Sequence, residues 1–462
     1  MNKKIIIPIT GIIVIFLSLI AYFICAFFGY IQNPFFDSHY QKTQKNINIS
    51  KNIPQKKEIH APIKKWDPNS TPITYDQIAQ TVEQKLQLLN TYSSFTSLTI
   101  KDPFTNKILY SLNGEKAMPV ASSTKILSAI ANLQTLKPNY RFTTETRIDK
   151  KNNLYIKSNG DILLNPNHTD ISSQTQYAGL LTLAENTAKI LQKKHITTVN
   201  LKIDDTYMGN EKTLPDWEKY DLQTNVGLVT SIAINKMLTP DQNAFDTDPT
   251  QNIKNTFAQH LANLGINVQN MQTQVHTPKN TKLVGKIHSD TIKNITKTTL
   301  KNSDNTMIEV LTRAGAMHDK YNNTFTATTK YIINKLRSLK IDTKNLKLRD
   351  ASGLSPENKV TTNTLVDALT KVSKDEKNIY SIIDDLPIAG TDGTLQNRFT
   401  QIPGKILAKT GTLTDTSSLS GIMYTRTGRT LIFSVNTHGY NKNNTWQVRT
   451  ILDNLITDIQ NL

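Results

Sequence analysis

Hydrophobic positions change their spacing several times along the chain, and each change marks an expected element. Ile5 to Ile31 is an almost unbroken apolar run behind Lys3 and Lys4. At 1.5 Å per residue it is long enough to span a hydrocarbon core of about 30 Å, with the positive residues on the cytoplasmic side. A cleaved signal would carry a shorter apolar region of about 7 to 15 residues and a small-x-small site, so an uncleaved single-pass anchor over residues 1–32 is expected. From 33 to 75 the pattern dissolves into Lys, Asn, Gln and Pro, as in QKTQKNINISKNIPQKKEIHAPIKK. Such composition predicts a solvated linker with a root-mean-square reach of roughly 35 Å.

Periodicity returns at Gln77 to Asn90, where Ile78, Val82, Leu86 and Leu89 recur at helical intervals. Phe95 to Ile100 and Lys107 to Leu112 are β-like runs parted by Asp102-Pro103 and Asn106, a hairpin signature. Near the other end, Ser418 to Tyr424 and Thr430 to Asn436 pair in the same way around Gly428, and Trp446 to Ile459 has the pattern of an amphipathic helix. Helix and strands from both ends can thus pair into one layer. Between them lie a mixed α/β stretch, about Asn139 to Ile287, and a helical stretch from Thr291 to Asp385.

Composition narrows the class. The 462 residues carry a formal net charge of +17, which favours anionic partners. The lysines are scattered, however, and no Arg-rich helix, zinc finger or aromatic single-strand platform accompanies them, so nucleic acid is excluded as a partner. An anionic lipid surface or acidic wall polymer fits the charge better. Cys25 is the single cysteine, which rules out an intramolecular disulfide, and the nine histidines form no metal-binding pair.

Three short motifs carry chemistry. Ser122-Ser123-Thr124-Lys125 opens an amphipathic segment in which Ile126, Ile130 and Leu133 share a face, and a spacing of three puts Lys125 one turn from Ser122. A serine hydroxyl becomes nucleophilic when a neighbour takes its proton, and a lysine can do so when burial or another cation lowers its pKa. Ser303-Asp304-Asn305 begins another helical segment with Met307, Ile308 and Leu311 turned inward, and Lys409-Thr410-Gly411 follows Ile406-Leu407-Ala408 on a strand. Each triplet alone reads equally well as a cap or turn. In this order they are the set found in penicillin-interacting serine enzymes.

From about residue 77 to 460 the chain resembles the D-alanyl-D-alanine carboxypeptidase/endopeptidase family of penicillin-binding protein 4 type, peptidase family S13. The resemblance rests on Pro119-Val120-Ala121 before Ser122-x-x-Lys125, on Tyr140 to Thr144, and on Ser303-Asp304-Asn305. It continues through Asp350-Ala351-Ser352-Gly353-Leu354-Ser355, Leu386 to Leu395, and Lys409-Thr410-Gly411-Thr412-Leu413. It implies an α/β (α+β) fold, a β-lactamase/D,D-peptidase-like antiparallel sheet flanked by helices. The stretch from Ser122 to Ser303 far exceeds what a connection needs, so the expected order is catalytic domain over 76–138 and 288–462 with an inserted accessory region over 139–287. The family's Gly-x-Gly-Asp-Pro-Thr signature stands here as Ser158-Asn159-Gly160-Asp161-Ile162-Leu163, which leaves the details of the insert open.

By the same resemblance Ser122 attacks the carbonyl between two D-alanines with Lys125 as base. Lys409 depresses the pKa of Lys125 and holds the substrate carboxylate, with Thr410, Gly411 and Thr412 lining the binding strand. Ser303 relays a proton to the leaving amine, Asn305 binds the peptide amide, and the N–H groups of Ser122 and Thr412 form the oxyanion hole. No cofactor or metal is implied. The expected partners are peptidoglycan stem peptides, β-lactam antibiotics that acylate Ser122, and the membrane through the N-terminal segment. This puts the catalytic unit in the periplasm or outside the cell, tethered to the inner (cytoplasmic) membrane. A serine β-lactamase and a catalytically idle, membrane-tethered wall-binding protein are the alternatives. Asp392-Gly393-Thr394 and Ser352-Gly353-Leu354-Ser355 read as structural turns, and the insert is expected to govern access of large substrates rather than the chemistry.

Overall fold

The computed structural model describes residues 70–171, 175–239, 243–375 and 379–462. The apolar run at 5–31 and the linker up to residue 69 lie outside them, and no helix among the described residues is long and apolar enough to cross a membrane. The chain enters at helix α1 (Tyr75–Tyr92). Thr74 starts it with a capping box: Gln77 N–H donates to Thr74 Oγ1, and Thr74 N–H donates to Gln77 Oε1 at 2.8 Å. Strands β1 (Phe95–Asp102) and β2 (Lys107–Leu112) follow as a hairpin, turned where Asp102 Oδ1 accepts from the N–H groups of Phe104 and Thr105. Helix α2 (Lys125–Leu136) comes next, and all of its residues but Thr135 are buried. The amphipathic pattern promised one exposed face. Instead α2 is enclosed, and its polar side chains turn to internal partners: Ser128 Oγ donates to Ala351 O at 2.6 Å and Asn132 Nδ2 to Thr312 Oγ1 at 3.0 Å.

The middle of the chain supplies β3 (Arg141–Ile148), β4 (Asn153–Ser158), β5 (Asp161–Leu164), α3 (Leu180–Lys193), β6 (Thr198–Asp204), β7 (Ile232–Ile234), α4 (Pro249–Asn263), β8 (Asn267–Gln272) and β9 (Lys282–Thr291). They form a sheet of order β8-β6-β4-β3-β9 and a small parallel pair, β5 with β7. β4, β6 and β8 run parallel, linked by α3 and α4 as helical crossovers. This sheet and its helices bury their own cluster, with Leu154, Leu183, Leu201 and Phe257 fully buried in it. The segment between β6 and α4 packs elsewhere. Met208, Leu214, Trp217, Val226, Val229 and Met237 belong to the cluster built around α2.

Helices α5 (Ile292–Asn302), α6 (Asn305–His318), α7 (Phe325–Ser338) and α8 (Thr362–Ser373) come next, followed by a single helical turn at Ser381–Asp384. The chain ends with β10 (Ile406–Leu413), β11 (Thr416–Tyr424), β12 (Thr430–His438) and α9 (Thr445–Gln460). The main sheet is antiparallel, in the order β10-β11-β12-β1-β2. β1 lies on β12 with Phe95 opposite His438 and Lys101 opposite Ile432, so the two ends of the described chain share one layer. One face of the sheet packs on α1 and α9, burying Leu98, Ile100, Leu419, Phe433 and Val435. The other face packs on α8 and on the Ala121–Thr124 turn that leads into α2, the arrangement of a three-layer α/β domain. On that face the strands carry Ser418, Ser420 and Ser434, all buried. Ser420 Oγ and Ser434 Oγ pair with each other at 2.8 Å, and Ser418 Oγ pairs with Ser123 Oγ at 2.8 Å.

Candidate active site

Ser122 sits in a tight turn, Ala121–Thr124, that runs straight into α2. Ala121 takes a positive φ of 47°, a conformation that costs a residue with a Cβ roughly 1–2 kcal/mol, so its surroundings must hold it. They do so with two glycines. A Cβ on Gly353 (φ +82°) would lie 1.9 Å from Ala121 O, and one on Gly411 would lie 2.4 Å from Val120 O. Ser418 Oγ adds a hydrogen bond to Val120 O at 2.6 Å.

Lys125 is wholly buried, and its Nζ meets three oxygens: Ser122 Oγ at 2.8 Å, Asn305 Oδ1 at 2.6 Å and Ser352 O at 2.8 Å. An amide oxygen and a backbone carbonyl can only accept. A neutral Lys125 amine has two N–H donors and one lone pair. The two obligate acceptors take the donors, and the lone pair is left for the Ser122 hydroxyl. Each acceptor is itself fixed. Asn305 Nδ2 donates to Asn225 O at 3.0 Å, which turns Oδ1 toward Lys125. The Ser352–Gly353 peptide donates its N–H to Asp350 Oδ1 at 2.8 Å, and Glu309 Oε1 accepts from the N–H groups of Ala351 and Ser352 at 3.0 and 2.7 Å. Burial lowers the Lys125 pKa to about 8, against the upward pull of Asp350, Glu309 and Asp304. Burial, followed by the charge of Asp350, raises the Glu309 carboxyl to about 7. The expected cause of the Lys125 shift was the charge of Lys409; desolvation is the leading one.

Ser303 ends α5 in the left-handed conformation (φ 57°), and Asp304 caps α6 by accepting from Met307 N–H at 2.9 Å. Asp304 also pairs with Lys236 at 2.7 Å. Lys236 lies in a turn where Asn235, Lys236 and Met237 all have positive φ. Lys409 Nζ donates to Ser303 Oγ at 2.9 Å and to Thr410 O at 2.8 Å. Burial, then the charges of Lys125 and Arg398, holds its pKa well below the usual lysine value.

β10 ends the sheet, so one of its edges is free of strand pairing. Pro387 O and Ala389 N bond to Ala408 N and Ile406 O, covering the first half of that edge. Alternate residues of a strand share an edge. The N–H of Thr410 and Thr412 therefore point the same way as that of Ala408, into the uncovered half. Thr410 Oγ1 meets Thr394 Oγ1 at 2.8 Å, and Thr412 Oγ1 accepts from Arg449 Nη2 at 2.8 Å. The turn at Gly393 has the positive φ expected of it, 56°. Beside it Asp392 grips Lys301 at 2.7 Å and accepts from Ile388 N–H, tying the cover strip to the end of α5.

Ser122, Lys125, Ser303, Asn305, Lys409, Thr410, Gly411 and Thr412 thus line one cleft between α2, the α5–α6 junction and β10. Sequence reasoning passed over Ser352, whose carbonyl touches Lys125, and also Glu309, Asp350, Asn225, Thr394 and Arg449. The first was legible as part of the Asp-Ala-Ser-Gly motif. Asp350 stands in the same motif and Thr394 in Asp392-Gly393-Thr394, stretches read as structural turns; Glu309, Asn225 and Arg449 carry no local signal and become visible only through packing.

A buried lysine directed at a serine, beside the edge strand of an antiparallel sheet, defines a serine hydrolase of the β-lactamase/D,D-peptidase fold class. The model of the D-Ala-D-Ala carboxypeptidase 3 (S13) family matches residues 77–234 and 231–459. The chain belongs to that family. It is 26% identical over 351 residues to carboxypeptidase DacB of Mycolicibacterium smegmatis, covering 73% of this chain and 75% of that protein. It is 30% identical over 185 residues to D-alanyl-D-alanine carboxypeptidase DacB of Haemophilus influenzae, covering 39% and 38%. The crystal structure of penicillin binding protein 4 (dacB) from Haemophilus influenzae superposes with a TM-score of 0.66 at 20% identity, over 85% of this chain and 100% of that one. The same protein complexed with a β-lactam gives 0.62, with the same identity and coverage.

Proposed function

We propose that this carboxypeptidase removes the terminal D-alanine from peptidoglycan stem peptides through an acyl-enzyme on Ser122, and that penicillin acylates the same serine. The observation that carries the reading is the contact of buried Lys125 Nζ with Ser122 Oγ at 2.8 Å beside two obligate acceptors, so that the amine, once neutral, has its lone pair left for the Ser122 proton. Ser122 Oγ forms an ester with the penultimate D-alanine as its proton passes to Lys125. The C–N bond breaks, and the leaving amine takes a proton through Ser303, which is hydrogen-bonded to Lys409. Water then hydrolyses the ester and restores Ser122. The N–H of Thr412, turned into the cleft, is suited to the developing oxyanion. D,D-endopeptidase action on cross-links needs the same chemistry and belongs to the same reading.

A β-lactamase is the less favoured reading. The carboxylates beside Lys125, Glu309 and Asp350, are buried behind it and accept from backbone N–H groups, so they are not placed to activate a deacylating water in the cleft. The Ile5–Ile31 run behind Lys3 and Lys4 supports a membrane anchor that keeps the catalytic unit outside the cytoplasm. Ser122→Ala tests the activity. It is expected to abolish both fluorescent-penicillin labelling and D-alanine release, since losing such a nucleophile costs on the order of 10⁶ in kcat in a comparable serine hydrolase. Labelling that survives would remove Ser122 from its role.

A further inference from the structure

The sheet in the middle of the chain ends at β9, whose outer edge pairs with no strand. Which backbone groups face outward follows from β3. Phe142 N–H turns toward β9, where it donates to Ser289 Oγ at 2.9 Å, and Thr143 N–H turns the other way, to Asn159 Oδ1 at 2.8 Å. By alternation Thr144 and Thr146 address β9, and the residues opposite them, Ile287 and Gly285, answer. The N–H and C=O groups of Lys286 and His288 therefore point away from β3. Among the described residues, no backbone hydrogen bond reaches them from another segment.

Helix α3 lies close over this strand. Gly285 permits the approach: a Cβ there would sit 2.4 Å from Thr187 Oγ1 and 3.3 Å from Leu183 Cδ1. The flank of α3 above the edge carries Lys189, Ile190 and Lys193, whose spacing keeps them on one side. With Leu283 and Lys286 of β9 they line an open groove of about 400 Å³. A free strand edge beside a helix is a setting in which extended peptides are captured as an added strand.

The lining narrows the guest. Lys189, Lys193 and Lys286 are exposed, and among the described residues none of them forms an ion pair. Leu283 is 46% exposed and offers an apolar contact. A second copy of this edge would bring its own Lys282 and Lys286 against the first, and like charges repel across paired strands. The same lysines attract an acidic chain.

We propose that the groove between α3 and the outer edge of β9 docks an extended acidic segment of a partner protein, which joins the sheet beside β9. Lys286 and His288 supply the main-chain hydrogen bonds. Gly285 faces α3, so Lys286 projects from the opposite face of the sheet. Acidic side chains on the α3 side of the guest strand meet Lys189 and Lys193, and those on the other side meet Lys286. None of these residues lines the cleft around Ser122, so docking would recruit the peptidase into an assembly without drawing on its catalytic groups.

The test uses the full chain in detergent micelles and, as probe, a fluorescein-labelled decapeptide of alternating Glu and Val. Anisotropy reads affinity, and hydrogen–deuterium exchange reads the place. Binding is expected to slow exchange over residues 282–289. The double variant Lys189→Glu/Lys193→Glu should weaken it by about tenfold or more. Lys286→Pro removes an outward N–H and leaves the β3 pairing intact, and it should cost more affinity than Lys286→Gln, which keeps that N–H. Penicillin labelling at the wild-type rate reports that each variant is folded. Equal binding by a peptide of the same sequence with alternate amides N-methylated would overturn strand addition, because charge alone would then suffice, and that comparison needs no variant. Unchanged exchange over 282–289 would overturn the proposal as well. So would protection of those residues by phosphatidylglycerol added to the micelle and not by the peptide, which would assign the lysines to a lipid surface.

Discussion

Lys125 owes its chemistry less to its own side chain than to the acceptors and acids around it. With a pKa of about 8, its neutral fraction, and with it the acylation rate, should climb as pH rises through about 8. Glu309 modulates that climb. Its carboxyl, raised to about 7, is mostly neutral below that pH and mostly charged above it, and once charged it holds the Lys125 proton on. Glu309→Gln keeps an oxygen for the Ala351 and Ser352 N–H groups and removes the charge. The variant should match wild type near pH 6 and acylate roughly two- to fivefold faster near pH 8, the size of a partial-unit shift. Stopped-flow acylation across that range checks it, and a profile that moves toward higher pH would contradict the assigned sign. At this scale Ser122 and Lys125 stood out in the sequence because their spacing of three is local. Glu309 and Arg449 did not, because a single acid or arginine on a helix is ordinary and only packing distinguishes it.

At the level of elements, legibility followed the locality of the cause. Helix α1, the β1–β2 hairpin and strands β11 and β12 were readable within a few residues at each end, because each rests on its own periodicity and turn residues. Helix α2 was misjudged as one-sided, since enclosure depends on what arrives later in the chain, chiefly α6, α7 and the 350–355 loop. That loop was read as structural, and it is, but what it supports is the turn before Ser122. Gly353→Ala would force a methyl against the Ala121 carbonyl and strain a φ of +82°. Melting should fall by several degrees while far-UV dichroism keeps its shape, and penicillin labelling should slow by about 10²-fold, the cost of an ångström-scale misplacement. Labelling at the normal rate in a destabilised variant would show that the turn holds Ser122 without this contact.

For the whole molecule, the middle of the chain serves two masters. Its sheet buries its own cluster, but the segment between β6 and α4 packs into the core around α2. From there it lends Asn225 O to Asn305 and Lys236 to Asp304. A wholesale cut at 139 and 287, which the sequence pattern invites, would tear that core, so the expectation that this region serves access alone does not describe its packing. The N-terminal run concerns the molecule's placement instead. If it is retained, the mature protein should begin near residue 1 and sediment with membranes until detergent is added; a mature start near residue 30 or beyond would sink the anchor.

The half-covered edge of β10 has one more consequence. An unpaired strand edge invites any extended chain to join it, including a neighbour's, and so it is a standing risk of self-association. Here the strip Pro387–Ala389 closes one half, and the turn bearing Ser122 is wedged beside the remainder, as the near contact of Gly411 with Val120 O requires. What stays open is the length from Lys409 to Leu413, roughly 17 Å of strand. That is room for a short peptide and little else. The edge works as a ruler, offering the enzyme a docking strand while denying a full-length partner the run of hydrogen bonds on which fibrils grow.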